Sequence, residues 1–124
     1  MELKNACQQA GIHFGLYYSI IDWNHSSQTV EGDFTKMASW EARTAYIADM
    51  KAQLKELVDT YDPEIMWFDG DWTYKKDNPT LKKWWTKQDG QDLYQYMKSL
   101  KSDIIVNERV CRSFGLGDFE CPEQ

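Results

Sequence analysis

The 124-residue sequence predicts an α/β chain of about three parallel strands with intervening helices. Three observations carry that expectation. Helix-period and strand-type segments alternate along the chain, the strand-type segments are short, and the connections after them are long while those before them are short. Alternation of this kind builds βαβ units, in which each helix crosses over a sheet of parallel strands.

The elements follow in order. Residues 2–10 read as a helix stopped by Gly11, since glycine readily takes the left-handed conformation found after helix C-termini. Residues 12–20, IHFGLYYSI, are dense in β-branched and aromatic side chains and read as a strand. Residues 22–35 are polar and irregular. The longest helix is expected over residues 40–61, where Tyr46, Ile47, Met50, Leu54, Leu57, Val58 and Tyr61 recur at spacings of three and four. Asp62-Pro63 ends it, because the residue before a proline is driven out of the helical region. Ile65-Met66-Trp67-Phe68 is continuously apolar, the pattern of a strand buried on both faces. A loop over residues 69–89 is rich in Lys and Trp. Residues 91–100 then read as a helix with Leu93, Tyr96, Met97 and Leu100 on its apolar stripe, and residues 103–106, DIIV, as a third strand. Residues 107–124 show no clear period.

Composition narrows the function classes. A net charge of −6 argues against a nucleic-acid partner, which calls for a basic face to neutralise phosphates. No stretch approaches the roughly 18 uninterrupted apolar residues of a membrane span, and the first residues carry no basic-then-apolar leader pattern. Aromatic residues make up 15% of the chain. Core packing accounts for most of them, yet flat rings also serve as platforms for the C–H faces of sugars, so the excess favours a carbohydrate site. Cys7, Cys111 and Cys121 have no metal spacing and read as free thiols, although Cys111 and Cys121 would close a short loop in an oxidising compartment.

The loops after the three strands all reach the C-terminal ends of a parallel sheet, the end where such folds place their chemistry. Asp69 follows the apolar run directly and Gly70 lets the chain turn away, so a carboxylate on a rigid element is aimed into the mouth. That is the position of a nucleophile or general base; a turn-capping aspartate is the competing reading. Asp69-x-Asp71 also suggests a divalent cation, as in metal-dependent sugar-nucleotide transferases, but Thr73 and Tyr74 break the calcium-loop pattern. A second set of candidates follows the last strand: Asn107, Glu108, Arg109, Glu120 and Glu123. A carboxyl there facing Asp69 across a sugar would make the machinery of glycoside hydrolysis, in which one group stays protonated and the other ionised. Glu108 is the weaker choice, since it is better placed to pair with Arg109 or a neighbour.

At these residues the sequence resembles the α-L-fucosidases of glycoside hydrolase family 29. Gly15-Leu16-Tyr17-Tyr18-Ser19 with Asp22-Trp23 looks like the family's G-x-Y-Y-S strand and its following acidic-Trp pair. The spacing of Tyr46, Gln53, Glu56-Leu57, Tyr61 and Pro63 resembles the next helix, and Trp67-Phe68-Asp69-Gly70 resembles the W-x-D-G nucleophile strand. Val106-Asn107-Glu108-Arg109 looks like V-N-D-R, and the run from Gly117 to Glu123 looks like G-D-[FY]-x-T-P-E. The resemblance implies Asp69 as the nucleophile of a retaining, metal-free and cofactor-free mechanism, and Glu123 as the general acid/base, whose placement varies between subgroups. It implies Tyr17 and Arg109 as contacts to fucose in a fucosylated glycan or simple fucoside. Trp67 matches a position beside the nucleophile, where packing explains it better than substrate contact. Glu108 in place of Asp and Cys121 in place of Thr are departures at non-catalytic positions.

The resemblance further implies a (β/α)₈ TIM-like barrel, which takes about 250 residues. Residues 1–124 then constitute a segment of that catalytic barrel, with its N- and C-terminal parts missing. The family's paired histidines find no counterpart, because His13 and His25 are separate. Such a segment is expected to have little or no activity alone and to self-associate through its exposed barrel edges. Two rivals stand beside this reading: a metal-dependent glycosyltransferase using Asp69 and Asp71, and a non-catalytic carbohydrate-binding module.

Overall fold

A computed structural model describes residues 1–22, 24–25, 39–71, 85–112 and 114–122. The order is helix α1 (Glu2–Gln9), strand β1 (Gly15–Ser19), helix α2 (Trp40–Tyr61), strand β2 (Ile65–Asp69), helix α3 (Lys87–Leu100) and strand β3 (Ile105–Val106), followed by a 3₁₀ turn at Glu108–Val110. The strands form one parallel sheet in the order β1-β2-β3, with Gly15 opposite Ile65, Ser19 opposite Asp69, and Met66 opposite Val106. The expected α/β alternation with three parallel strands is therefore present.

Two helices cover one face of this sheet. Met66, Phe68 and Val106 are fully buried against Met50, Leu54 and Val58 of α2 and Leu93 and Met97 of α3. Trp85 joins the same cluster and donates its indole N–H to the Val110 carbonyl at 2.6 Å. The opposite face carries Tyr17, Ile65, Trp67 and Ile105, and of these Tyr17 is 62% exposed. The continuous apolar run of β2 led to an expectation of burial on both faces. Among the described residues it is buried alternately, Met66 and Phe68 fully and Ile65 and Trp67 only partly, because helices lie on one side alone.

Element ends follow local chemistry. Ser39 caps α2 by accepting from the Ala42 amide at 3.0 Å, and Asp62 closes it in the left-handed conformation (φ 44°), its carboxylate 2.8 Å from Lys101. α3 starts four residues before the expected 91, because Thr86 and Asp89 form a reciprocal capping box. Asp89 also pairs with the buried Arg43, which ties α2 to α3. β1 is shorter than residues 12–20: its ladder with β2 runs from Gly15 opposite Ile65 to Ser19 opposite Asp69. β3 is shorter than 103–106, because the Ile104 amide closes a turn onto Lys101. The three cysteines are free thiols. Among the described residues no helix is long and apolar enough to cross a membrane.

Candidate active site

Asp69 is the last residue of β2. On one side the Ile20 amide donates to its carbonyl at 2.8 Å, continuing the pairing with β1. On the other side the ladder with β3 stops at Val106, and the side chain of Asn107 takes over. Its Nδ2 donates to the Phe68 carbonyl at 2.9 Å, and its Oδ1 accepts from the Phe68 amide at 2.7 Å. A buried carboxamide thus replaces a strand partner immediately before the carboxylate. Gly70 then turns the chain at φ 88°, where a Cβ would meet the Ile21 amide nitrogen at 2.8 Å.

Both oxygens of Asp69 are engaged. Oδ2 accepts from the Tyr17 hydroxyl at 3.2 Å, and Oδ1 accepts from Arg109 Nη1 at 3.0 Å, with Arg112 Nη2 3.8 Å away. Arg109 is buried, its guanidinium 4.7 Å over the Trp67 ring, and Trp67 stacks on Tyr17 with centroids 5.5 Å apart. Desolvation at the sheet face, the charge of Asp69 and the hydrogen bond to it raise the Tyr17 pKa above its ordinary value, against the opposing charge of Arg109. The sequence-predicted Tyr17, Trp67, Asp69 and Arg109 come together on the open face of the sheet, at the C-terminal ends of the strands. Trp67 lies on this face and not in the core, packed between Tyr17 and Arg109.

The segment after the 3₁₀ turn returns alongside β3. Phe119 bridges to Asn107, and its carbonyl accepts from the Glu108 amide at 2.9 Å. Asp118 accepts from the Val106 amide, Lys98 Nζ and the Tyr94 hydroxyl at 2.9, 2.8 and 2.7 Å. Glu108 accepts from the Cys121 amide at 2.9 Å, so this carboxylate holds the loop. Glu120 is exposed, and Glu123 lies outside the described residues.

Asp71 has a different role from the one its spacing suggested. Its side chain is 1% exposed, and both oxygens bind Arg112: the backbone N–H at 2.6 Å and Nε at 3.0 Å. An Asp-x-Asp cation site would need those oxygens. Arg112 itself went unnoticed in the sequence, where no local pattern links it to a residue 41 positions earlier. His13 pairs with Glu64 at 2.7 Å beside a cleft of about 390 Å³ at the N-terminal ends of the strands, the far end from Asp69. His25 packs on Tyr46.

Comparison with known proteins gives a consistent picture. The sequence pattern of the family described as Alpha-L-fucosidase matches residues 1–124. An alpha-L-fucosidase of Dictyostelium discoideum is 30% identical over 108 residues, which is 87% of this chain and 22% of that protein. An alpha-L-fucosidase of Branchiostoma floridae is 34% identical over 112 residues, 88% of this chain and 21% of that protein. An alpha-L-fucosidase from Lactobacillus casei, solved with its alpha-L-fucose product, superposes with a TM-score of 0.59 at 25% identity, covering 90% of this chain and 37% of that one. The chain therefore spans 22% and 21% of the length of the two curated relatives.

Proposed function

This chain belongs to the alpha-L-fucosidase family, and from that premise we propose that it forms part of a catalytic domain that hydrolyses terminal α-L-fucosides with retention. The observation that carries the reading is the clamping of Asp69 at the end of a parallel strand by Tyr17 and Arg109, on a sheet face that, among the described residues, no helix covers. A carboxylate fixed at both oxygens is pre-oriented for attack. In the first step an Asp69 oxygen bonds to the anomeric carbon while the glycosidic C–O bond breaks, and Glu123 protonates the departing oxygen. In the second, Glu123 takes a proton from water, whose oxygen replaces Asp69 at the anomeric carbon. Tyr17, Trp67 and Arg109 wall the sugar.

The same reading makes residues 1–124 a segment of a (β/α)₈ catalytic barrel with the open face turned inward. Support comes from the one-sided sheet, since parallel sheets are as a rule covered on both faces, and from placement of the carboxylate at the strands' C-terminal ends. Alone, the segment is weakly active or inactive and associates through the outer edges of β1 and β3. A metal-dependent transferase is not favoured, because Asp71 is committed to Arg112. A binding module alone leaves the clamp on Asp69 unexplained.

The test is intact mass and peptide mapping after incubation with a 2-deoxy-2-fluoro-fucosyl donor, run on this chain and on the Lactobacillus casei enzyme. One sugar on Asp69 establishes the nucleophile and a competent site. An adduct on the relative alone leaves the assignment standing and places completion of the site in the rest of the barrel. An adduct on any other residue of this chain refutes Asp69.

A further inference from the structure

We propose that Arg112 is a second guanidinium of the sugar site, contacting a hydroxyl of the sugar bound against Asp69, and that Asp71 is the positioning residue that holds it there. The inference rests on the fucoside reading of the site and adds to it two residues with a defined relation.

The geometry begins with Asp71. A carboxylate with a 1% exposed side chain is costly to bury unless its oxygens are answered. Both are answered by one residue, the Arg112 backbone N–H at 2.6 Å and its Nε at 3.0 Å. Binding at two points of one residue fixes both where the chain of Arg112 runs and how its guanidinium plane is turned. On the same guanidinium, Nη2 stands 3.8 Å from Asp69 Oδ1. That separation is too long for a hydrogen bond between the two. It is short enough for one hydroxyl oxygen, at roughly 2.8 Å from each, to donate to Oδ1 while accepting from Nη2. Arg112 is 36% exposed at its side chain. Arg109, by contrast, is buried over Trp67 and already bonds Oδ1 directly. The two arginines thus divide the work: Arg109 fixes the carboxylate, and Arg112 reaches a hydroxyl beside it.

The test uses this chain with ¹⁵N-labelled arginine and tryptophan and L-fucose as the probe. In the sugar-free protein the Arg112 Nε–H resonance is expected to be protected from exchange, and Asp71→Asn is expected to remove the protection. L-fucose is expected to shift both the Trp67 indole and the Arg112 guanidinium resonances. A shift at Trp67 without one at Arg112 overturns the proposal while leaving the fucoside reading intact; no shift at either overturns the proposal for this chain, while the fucoside reading is decided separately by the 2-deoxy-2-fluoro-fucosyl adduct. The titration of the unsubstituted chain decides this even where Asp71→Asn disturbs folding. Where the variants fold, Arg112→Lys and Asp71→Asn should each weaken L-fucose binding about tenfold, and the double variant also about tenfold, since Asp71 acts through Arg112. A roughly hundredfold, additive loss would show that Asp71 acts independently and would overturn its positioning role.

Discussion

Asn107→Ala offers the sharpest test of how the candidate nucleophile is held. The side chain is fully buried and makes two hydrogen bonds to the backbone of Phe68, itself fully buried. Truncation leaves the Phe68 N–H and C=O without partners in a site that water does not reach. Each stranded group costs about 1–3 kcal/mol, so the loss should be about 2–6 kcal/mol. Asn107→Asp should cost as much, because it keeps the acceptor for the Phe68 N–H but turns a buried carboxylate oxygen toward the Phe68 carbonyl. Urea denaturation followed by circular dichroism measures the loss, and hydrogen exchange at the Phe68 amide locates it. A loss below about 1 kcal/mol in both variants, with the Phe68 amide still protected, would refute the claim that this side chain substitutes for a strand.

Three further outcomes are expected. Arg43→Ala removes the charged partner of Asp89, whose side chain is 16% exposed and keeps its hydrogen bonds to Thr86, and should cost about 1.5–3 kcal/mol by thermal or urea melting; a neutral result would mean that Thr86 alone satisfies Asp89. Gly90→Ala places a Cβ 2.6 Å from Cys111 Cβ and 2.7 Å from the Val110 carbonyl oxygen, so it should cost about 1–3 kcal/mol and alter Trp67 emission by displacing the turn that carries Arg109. Burial pushes Asp118 up, but the hydrogen bonds from Lys98, Tyr94 and the Val106 amide outweigh it and hold the carboxyl below its ordinary 3.8. With the folded value lower than the unfolded one, its contribution is complete above that ordinary value and vanishes as pH falls through the folded one. Asp118→Asn should therefore flatten the acid limb of a stability-against-pH curve, and an unchanged limb would remove Asp118 from the account.

What the sequence made legible was local. The bounds of α2 could be read because a capping serine and an Asp-Pro pair bracket an apolar stripe of helical period. The start of α3 was readable too, in Thr86-x-x-Asp89, but the apolar stripe begins later and drew the boundary with it. Strand lengths were less legible, since a strand extends only as far as its partner, and the ladder of β1 runs only from Gly15 opposite Ile65 to Ser19 opposite Asp69. At the site, Asp69 could be found from its place after an apolar run, and Tyr17 and Arg109 through their motifs. The meaning of Asp71 could not, because it depends on Arg112, which only the fold brings near. Asn107 was visible as a polar residue after a strand, but its bonds to Phe68 span 39 positions.

The one-sided covering of the sheet has a consequence for how the chain tolerates change. Along β1 and β2, even-numbered residues such as Met66 and Phe68 face the helices, while odd-numbered ones such as Tyr17, Trp67 and Asp69 face the open side. Folding and the proposed chemistry thereby fall on the same few residues in alternation. A saturation scan along Ile65–Asp69 should fall into two interleaved classes, abundance failing at one set and sugar handling at the other. The odd positions around Asp69 can therefore be varied with the even ones untouched, leaving how the sheet folds unchanged.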